Sequence, residues 1–223
     1  DKSLKWSQWS DPSPFSTGES DLSANLILNP GAENGINHWT LVSGNIESLG
    51  DTECDGISPH SGERLFAVGG VCENESDFGE AYQLIGLDDF TECIDQELGN
   101  IIYGGFLSNW GGSDKPEFQL YFLNEDFEEI DATPSYHTYN SSWTLFAEFD
   151  TIPSDTKYIE FTLRGTRYAG SDNDSYFDDL FLRIQCTTPH VQGDLNQDHQ
   201  INIQDVVMMI NLILSGDITD QEL

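Results

Sequence analysis

Positive charge is nearly missing from this chain. Of its 223 residues 8 are Lys or Arg and 40 are Asp or Glu, a formal net charge of −32. Nucleic acid and anionic membrane would be repelled by such a surface, so neither is expected as a partner, whereas cations are. The acid excess suits a saline or calcium-rich medium in which counter-ions relieve self-repulsion, and generic solubility explains it equally well. No stretch approaches the roughly 18 apolar residues of a membrane span. A signal peptide is lacking and the first residue is Asp1, as in a mature or trimmed chain. Nucleophile-elbow, zinc-protease and phosphate-loop motifs are also lacking, and nothing selects two carboxylates at a glycosidase separation, so catalysis is not expected.

Cysteine is sparse, and what there is points outward from the cell. Four cysteines allow three pairings. The spacings favour Cys54 with Cys72, closing a modest loop worth about 3 kcal/mol in the chain-entropy account, which leaves Cys93 for Cys186. With no Cys-x-x-Cys and no His at zinc-ligand spacing, disulfides in an extracellular or cell-surface protein are expected. Sequons stand at Asn74, Asn140 and Asn173.

Hydrophobic residues make up 37% and aromatics 12%, enough for a proper core. From residue 23 to 187, short runs rich in Phe, Tyr, Leu and Ile alternate with Gly, Pro, Asn and Asp clusters. Strands are expected at 25–28, 38–49 in two pieces, 64–68, 80–85, 101–107, 117–123, 142–150, 158–164 and 175–184. With no helical period between them, the fold class is mainly β, an antiparallel sandwich. Residues 1–22 form a Ser/Pro-rich arm that carries Trp6, Trp9 and Phe15. Three large rings are a liability in water, so the arm is expected to pack on the sandwich or on a neighbour.

The C-terminal segment 188–223 holds the sharpest chemical pattern. Counting Asp194 as position 1, Asn196 falls at 3, Asp198 at 5, the Gln200 carbonyl at 7, Asn202 at 9 and Asp205 at 12, a ligand schedule for Ca²⁺. A helix over 203–214 follows, with Ile203, Val206, Val207, Ile210, Ile213 and Leu214 along one stripe that a single short helix cannot bury. Position 12 is Asp and no helix-forming stretch precedes the loop, so the segment resembles the loop-helix repeat of dockerin modules. In that family two repeats pair and engage a cohesin receptor. Only one is present here, and the polar stretch ending at Leu223 reads as a truncated linker to a second. The family's Gly at loop position 6 is replaced by His199, which accepts left-handed backbone less well and implies weaker calcium binding.

Three further motifs resemble those of galactose-binding-like jelly rolls, the fold of many carbohydrate-binding modules. They are Asn29-Pro-Gly-Ala-Glu-Asn-Gly35 with Trp39, Ser58-Pro-His-Ser-Gly-Glu-Arg-Leu-Phe-Ala-Val68, and Asn173-Asp-Ser-Tyr-Phe-Asp-Asp-Leu-Phe-Leu182. The resemblance implies a second, structural calcium held by Glu33, Asp178 and a carbonyl near Ser61. In the competing reading Glu33 caps a turn and Asp178 starts a strand. The resemblance also implies that Trp39 and Trp143 are core residues. Candidate sugar contacts are the loop residues Trp110, Tyr136, Tyr139, Arg167 and Tyr168, with ion pairing to nearby acids the competing role for Arg164 and Arg167. The expectation is a non-catalytic, secreted, calcium-binding module for a glycan or cell-surface polysaccharide, with a dockerin-like tail for a cohesin-like protein. The alternative is a structural subunit of a calcium-stabilised assembly built from copies of this chain.

Overall fold

A two-residue apolar period builds both layers of the sandwich. The computed structural model describes residues 22–111, 113–187, 193, 195 and 200–215, apart from the side chains at 212, 213 and 215. The strands are β1 (Thr40–Ser43), β2 (Ile46–Gly50), β3 (Arg64–Val68), β4 (Phe78–Gly86), β5 (Gly99–Ser108), β6 (Lys115–Leu123), β7 (Glu129–Ala132), β8 (Tyr136–His137), β9 (Thr144–Thr151), β10 (Tyr158–Thr166) and β11 (Tyr176–Cys186). One sheet has six strands, in the order β1-β4-β10-β6-β7 with β8 also on β6, and the other has five, β2-β3-β11-β5-β9. Every pairing is antiparallel. The mainly β, two-sheet sandwich is thus the one that the alternation predicts.

Between the sheets lie the inward residues of each strand. Phe118, Leu120, Phe122, Ile159, Phe161 and Leu163 come from the six-stranded sheet, and Ile101, Tyr103, Leu182 and Ile184 from the five-stranded one. Phe118 stacks on Phe161 with ring centroids 5.5 Å apart and meets Tyr103 edge-on at 6.3 Å. Each such buried side chain stabilises by about 1.5–3 kcal/mol relative to exposure. Trp39 is buried against Phe66. Trp143 is only half-buried: it packs beside the smaller Leu49–Leu65–Tyr176 cluster while its indole N–H donates to the Ser58 carbonyl at 3.1 Å.

The structure departs from expectation in three places. Residues 25–28 run beside β11 without forming a ladder: the Leu26 N–H donates to the Leu182 carbonyl at 2.8 Å, and side chains make the other bonds. Asn25 accepts from the Leu182 N–H and donates to the Leu180 carbonyl, and Gln83 grips Leu28 through both its N–H and its carbonyl. A short helix, α1 (Thr91–Asp95), interrupts the β pattern and carries Cys93 and the buried Ile94. Five residues are too few to show a helical period. The short strands β7 and β8 occupy what read as connection.

Cys54 is bonded to Cys72 and Cys93 to Cys186, the pairing that the spacings favoured. The chain divides into two compact units, Asp1–Cys186 and Thr187–Leu223. The second contains α2 (Ile203–Ser215). On this helix Ile203, Val206, Val207, Ile210 and Leu214 are all exposed. Among the described residues no helix is long and apolar enough to cross a membrane. The N-terminal arm through residue 21, with Trp6, Trp9 and Phe15, lies outside the described residues.

Candidate functional site

Alternation places a second set of side chains on the outer face of the six-stranded sheet, where β4, β10 and β6 lie side by side. In register across the three strands stand Glu80, Arg164 and Glu117, then Tyr82, Thr162 and Gln119, then Leu84, Glu160 and Tyr121. Arg164 organises the centre. Its Nε donates to Glu80 at 2.9 Å, one terminal nitrogen to Gln119 Oε1 at 3.0 Å and the other to the Tyr121 hydroxyl at 2.7 Å. Burial works against its charge, but Glu80 and Tyr121 outweigh it and hold the guanidinium above its ordinary pKa. Thr162 donates to Glu160 at 3.0 Å. One row along, Lys115 pairs with Glu117. Burial alone would raise the Glu117 carboxyl, yet hydrogen bonds from Lys115 and Ser135 hold it below the usual range. The result is a face of fixed, mutually oriented donors and acceptors on rigid strands.

Aromatic rings border this face at its Lys115 end. Tyr139 and Tyr168 are 51% and 63% exposed, and both lie in the neighbourhood of Lys115. Tyr139 packs edge-on to His137 at 5.4 Å, and His137 is paired with Glu117. Tyr168 is held by a buried carboxylate, since Asp114 accepts from the N–H groups of Tyr168 and Asp174 at 2.8 and 2.9 Å. Trp110 is 57% exposed on the neighbouring β5–β6 connection. Two other residues named from the sequence stand elsewhere. Tyr136 faces inward through β8 and stacks on Phe118 at 5.3 Å, so it is a core residue. Arg167 is tied to Asp77 and to the Ser171 carbonyl, which makes it a loop anchor. Arg164 is the ion-pair partner that the sequence allows, whereas the face residues Glu80, Gln119, Tyr121 and Glu160 are not singled out by it. Their signal was the polar half of the alternation in β6 and β10.

A second constellation joins the three sequence motifs. Asp178, fully buried, accepts from the N–H groups of His60 and Ser61 at 2.8 and 3.1 Å. Glu33 Oε1 accepts from Glu63 and Arg64 at 2.8 and 3.1 Å, and Glu33 Oε2 has no partner among the described residues. Both carboxylates therefore converge on the turn at 60–64. Burial pushes the Asp178 carboxyl up to about 6, with backbone N–H donors pulling the other way. Gly31 and Gly62 make the approach possible: a Cβ on the first would sit 3.0 Å from Asp178 Oδ1, and on the second 2.1 Å from Glu33 Oε1. His60 and Ser61 both bind Asp179, at 2.6 and 2.7 Å, so the imidazole is directed to the acid and not to the serine hydroxyl. That arrangement lacks the base-to-nucleophile contact of a hydrolase triad. No cluster of three or more His, Cys, Asp or Glu side chains able to hold a metal occurs among the described residues.

In the C-terminal unit, Asn202 and Asp205 cap α2. Asn202 Oδ1 accepts from the Gln204 N–H at 2.7 Å and Asp205 Oδ2 from the Asn202 N–H at 2.7 Å, a reciprocal capping box. Asp205 Oδ1 reaches back to the Leu195 N–H at 2.9 Å, and the Gln200 carbonyl accepts from the Asn202 amide at 3.2 Å. Asp194, Asn196 and Asp198 lie outside the described residues, as does His199.

No protein-family model matches the sequence, and no curated protein matches it. Similar solved structures share the architecture at low identity. One is the enzymatically active domain of tailspike protein 4 of bacteriophage CBA120, with a TM-score of 0.51 and 16% identity over 71% of this chain, a match that spans 21% of the tailspike chain. Another is a family 16 carbohydrate-binding module, at a TM-score of 0.49 and 18% identity, covering 71% of this chain and 99% of the module. A third is a family 61 carbohydrate-binding module solved with β-1,4-galactotriose, at 0.46 and 19%, covering 72% and 98%.

Proposed function

We propose that the sandwich is a non-catalytic carbohydrate-binding module of a secreted protein, and that the glycan lies on the outer face of β4, β10 and β6. The observation that carries this reading is the Arg164 network: Glu80, Gln119, Tyr121 and Glu160 offer preset polar groups for sugar hydroxyls, and the exposed rings of Tyr139 and Tyr168 border them. Sugar rings need this combination of a flat apolar surface and fixed polar groups. The acids of the face are engaged by Arg164, Lys115 and Thr162, which suits holding a ligand more than acid–base chemistry. A glycan array probed with the full chain and with Tyr168→Ala and Tyr139→Ala tests the assignment. Hits weakened about tenfold in either variant are expected, the size of a lost ring contact. A blank array from folded protein would overturn it.

Calcium is part of the proposal. In the sandwich Glu33, Asp178 and a carbonyl of the Ser61 turn would hold one ion. A buried, burial-shifted carboxylate without a cationic side chain, on the same turn as a second carboxylate with an unpartnered oxygen, fits a hard cation. In the tail Asp194, Asn196, Asp198, Gln200, Asn202 and Asp205 would hold another, and the exposed apolar helix would serve a cohesin-like protein partner. Chelation at saturating calcium should remove about 2.7 kcal/mol for an ion present at a hundred times its Kd, a fall of roughly 5–10 °C for a domain of this size. Calorimetry checks this, and Asp178→Asn should erase the sandwich's share. An unchanged melting curve in chelator would remove calcium from the sandwich.

One observation favours the alternative of a structural assembly. The outer face of the five-stranded sheet is apolar along β9, where Leu145 is 53% and Phe149 61% exposed. Light scattering that finds oligomers in calcium, dispersed by Phe149→Lys, would support it.

A further inference from the structure

We infer that the glycan of this face is a neutral, linear chain long enough to bridge two aromatic platforms, one at each end of β10; this rests on the proposed assignment of the face. The second platform is at the end opposite Tyr139 and Tyr168. There Tyr158 points outward, in register with Gly86 on β4 and Leu123 on β6. Phe127 stacks on it with centroids 4.6 Å apart and planes 22° from parallel. Phe127 is 56% exposed and sits at φ 61°, a left-handed backbone that bulky side chains avoid. Asn124 enforces that conformation: its side-chain oxygen accepts from the N–H groups of Asp126 and Glu128, both at 2.9 Å, and its carbonyl from Phe127 at 3.1 Å. A strained ring held out of the core and stacked on a second exposed ring contributes little to folding, and it extends the same face on which Leu84 is also exposed.

Length and charge define the ligand. From Tyr158 to Thr166, β10 runs about 27 Å, the length of roughly five pyranose units in an extended chain. Glu80, Glu117 and Glu160 project from the face against only Lys115 and Arg164. Arg164 gives three of its five N–H groups to Glu80, Gln119 and Tyr121, and Lys115 is paired with Glu117. Both positive charges of the face are therefore already offset by its own carboxylates, which disfavours a substrate carboxylate or sulfate, whereas carboxylates accept hydrogen bonds from sugar hydroxyls directly. In a chain of net charge −32, a uronate polymer meets repulsion along its whole length.

Calorimetric titration of the full chain with β-1,4-linked xylo-, gluco- and manno-oligosaccharides of two to six units, and with oligogalacturonates of the same lengths, tests this. For at least one neutral series, affinity is expected to climb about tenfold or more between two and five units and then level off. Phe127→Gly removes the outer ring and relieves its backbone strain, so a folding defect does not confuse the result. This variant should keep the affinity for two or three units and lose most of the gain beyond. Oligogalacturonates should bind at least tenfold more weakly than the best neutral series. A plateau at two or three units, a Phe127→Gly profile like the parent's, or oligogalacturonate binding as tight as the neutral series would each overturn the inference while leaving the face as the site. Silence from every sugar would overturn the assignment of the face itself.

Discussion

Alanine at Gly165 is expected to destabilise the sandwich by about 4 kcal/mol or more, a large share of what holds a domain folded. Gly165 on β10 is paired with Gly79 on β4, and this pair of bare positions lies where the end of β3 crosses from the other sheet. A Cβ on Gly165 would stand 1.9 Å from the Val68 carbonyl oxygen and 2.7 Å from Ser175 Cβ, and one on Gly79 only 2.4 Å from the Gly69 nitrogen. The nearest obstacles are backbone atoms of paired strands, so relief requires moving a strand and not turning a rotamer. The Asn173 side chain, fully buried, locks the crossing by donating to the Ser76 and Gly165 carbonyls at 3.0 and 3.1 Å while accepting from the Ser175 hydroxyl at 2.8 Å. The same geometry removes Asn173 from the glycosylation sites available to the folded protein, whereas Asn74 and Asn140 are exposed. Urea unfolding followed by tryptophan fluorescence checks the prediction. Gly86→Ala is the control, since its nearest neighbour would be 4.0 Å away. Equal midpoints for the two variants would mean that the sheets do not meet as described.

That crossing shows where reading the sequence stops. Alternation in Phe118-Gln-Leu-Tyr-Phe-Leu123 and Tyr158-Ile-Glu-Phe-Thr-Leu163 reveals two half-buried strands, because the pleat sends successive side chains to opposite faces. It does not reveal that the strands are neighbours, which depends on pairings far apart in the chain. The Arg164 network suffers from the same gap. Its partners Glu80, Gln119 and Tyr121 are 84, 45 and 43 residues away, and only the register brings them together. Arg164 and Arg167 as ion-pair partners were legible, since few cations among many acids leave little choice. The convergence of Glu33 and Asp178 on the 60–64 turn was legible only through the resemblance of the three motifs to galactose-binding-like jelly rolls; neither composition nor periodicity points to it. Tyr136 misled because a Pro-Ser-Tyr connection looks like surface loop, yet two residues of β8 are enough to turn the ring into the core. Phe127 left no local sign, for its left-handed backbone follows from how Asn124 folds the turn.

Removing the Cys93–Cys186 disulfide should cost more than removing Cys54–Cys72, and the difference tests which restraints the fold relies on. The bridges span 93 and 18 residues, for which the chain-entropy account gives about 4.6 and 3.2 kcal/mol. Local structure widens the gap. Cys93 is carried by α1, a helix of five residues that has almost no stability of its own, and the bridge ties it to the last residue of β11. Without it, the burial of Ile94 depends on hydrogen bonds such as that from the Leu98 N–H to the Cys93 carbonyl, at 2.9 Å. The strand β5 that follows pairs its Gly99 with Cys186, so loosening α1 frays the centre of the five-stranded sheet. Around Cys72 a second restraint survives reduction. The Glu47 carboxylate accepts from three successive N–H groups, those of Val71, Cys72 and Glu73, at 2.7, 3.0 and 2.9 Å. The segment that bears Cys72 is therefore held with or without sulfur, and its loss should fall short of the entropic figure. Cys93→Ala/Cys186→Ala and Cys54→Ala/Cys72→Ala compared by urea midpoint give the order. Adding Glu47→Gln to the second pair should then deepen its loss. If the short bridge mattered more, or Glu47→Gln added nothing, the carboxylate would not be the restraint that its three hydrogen bonds make it.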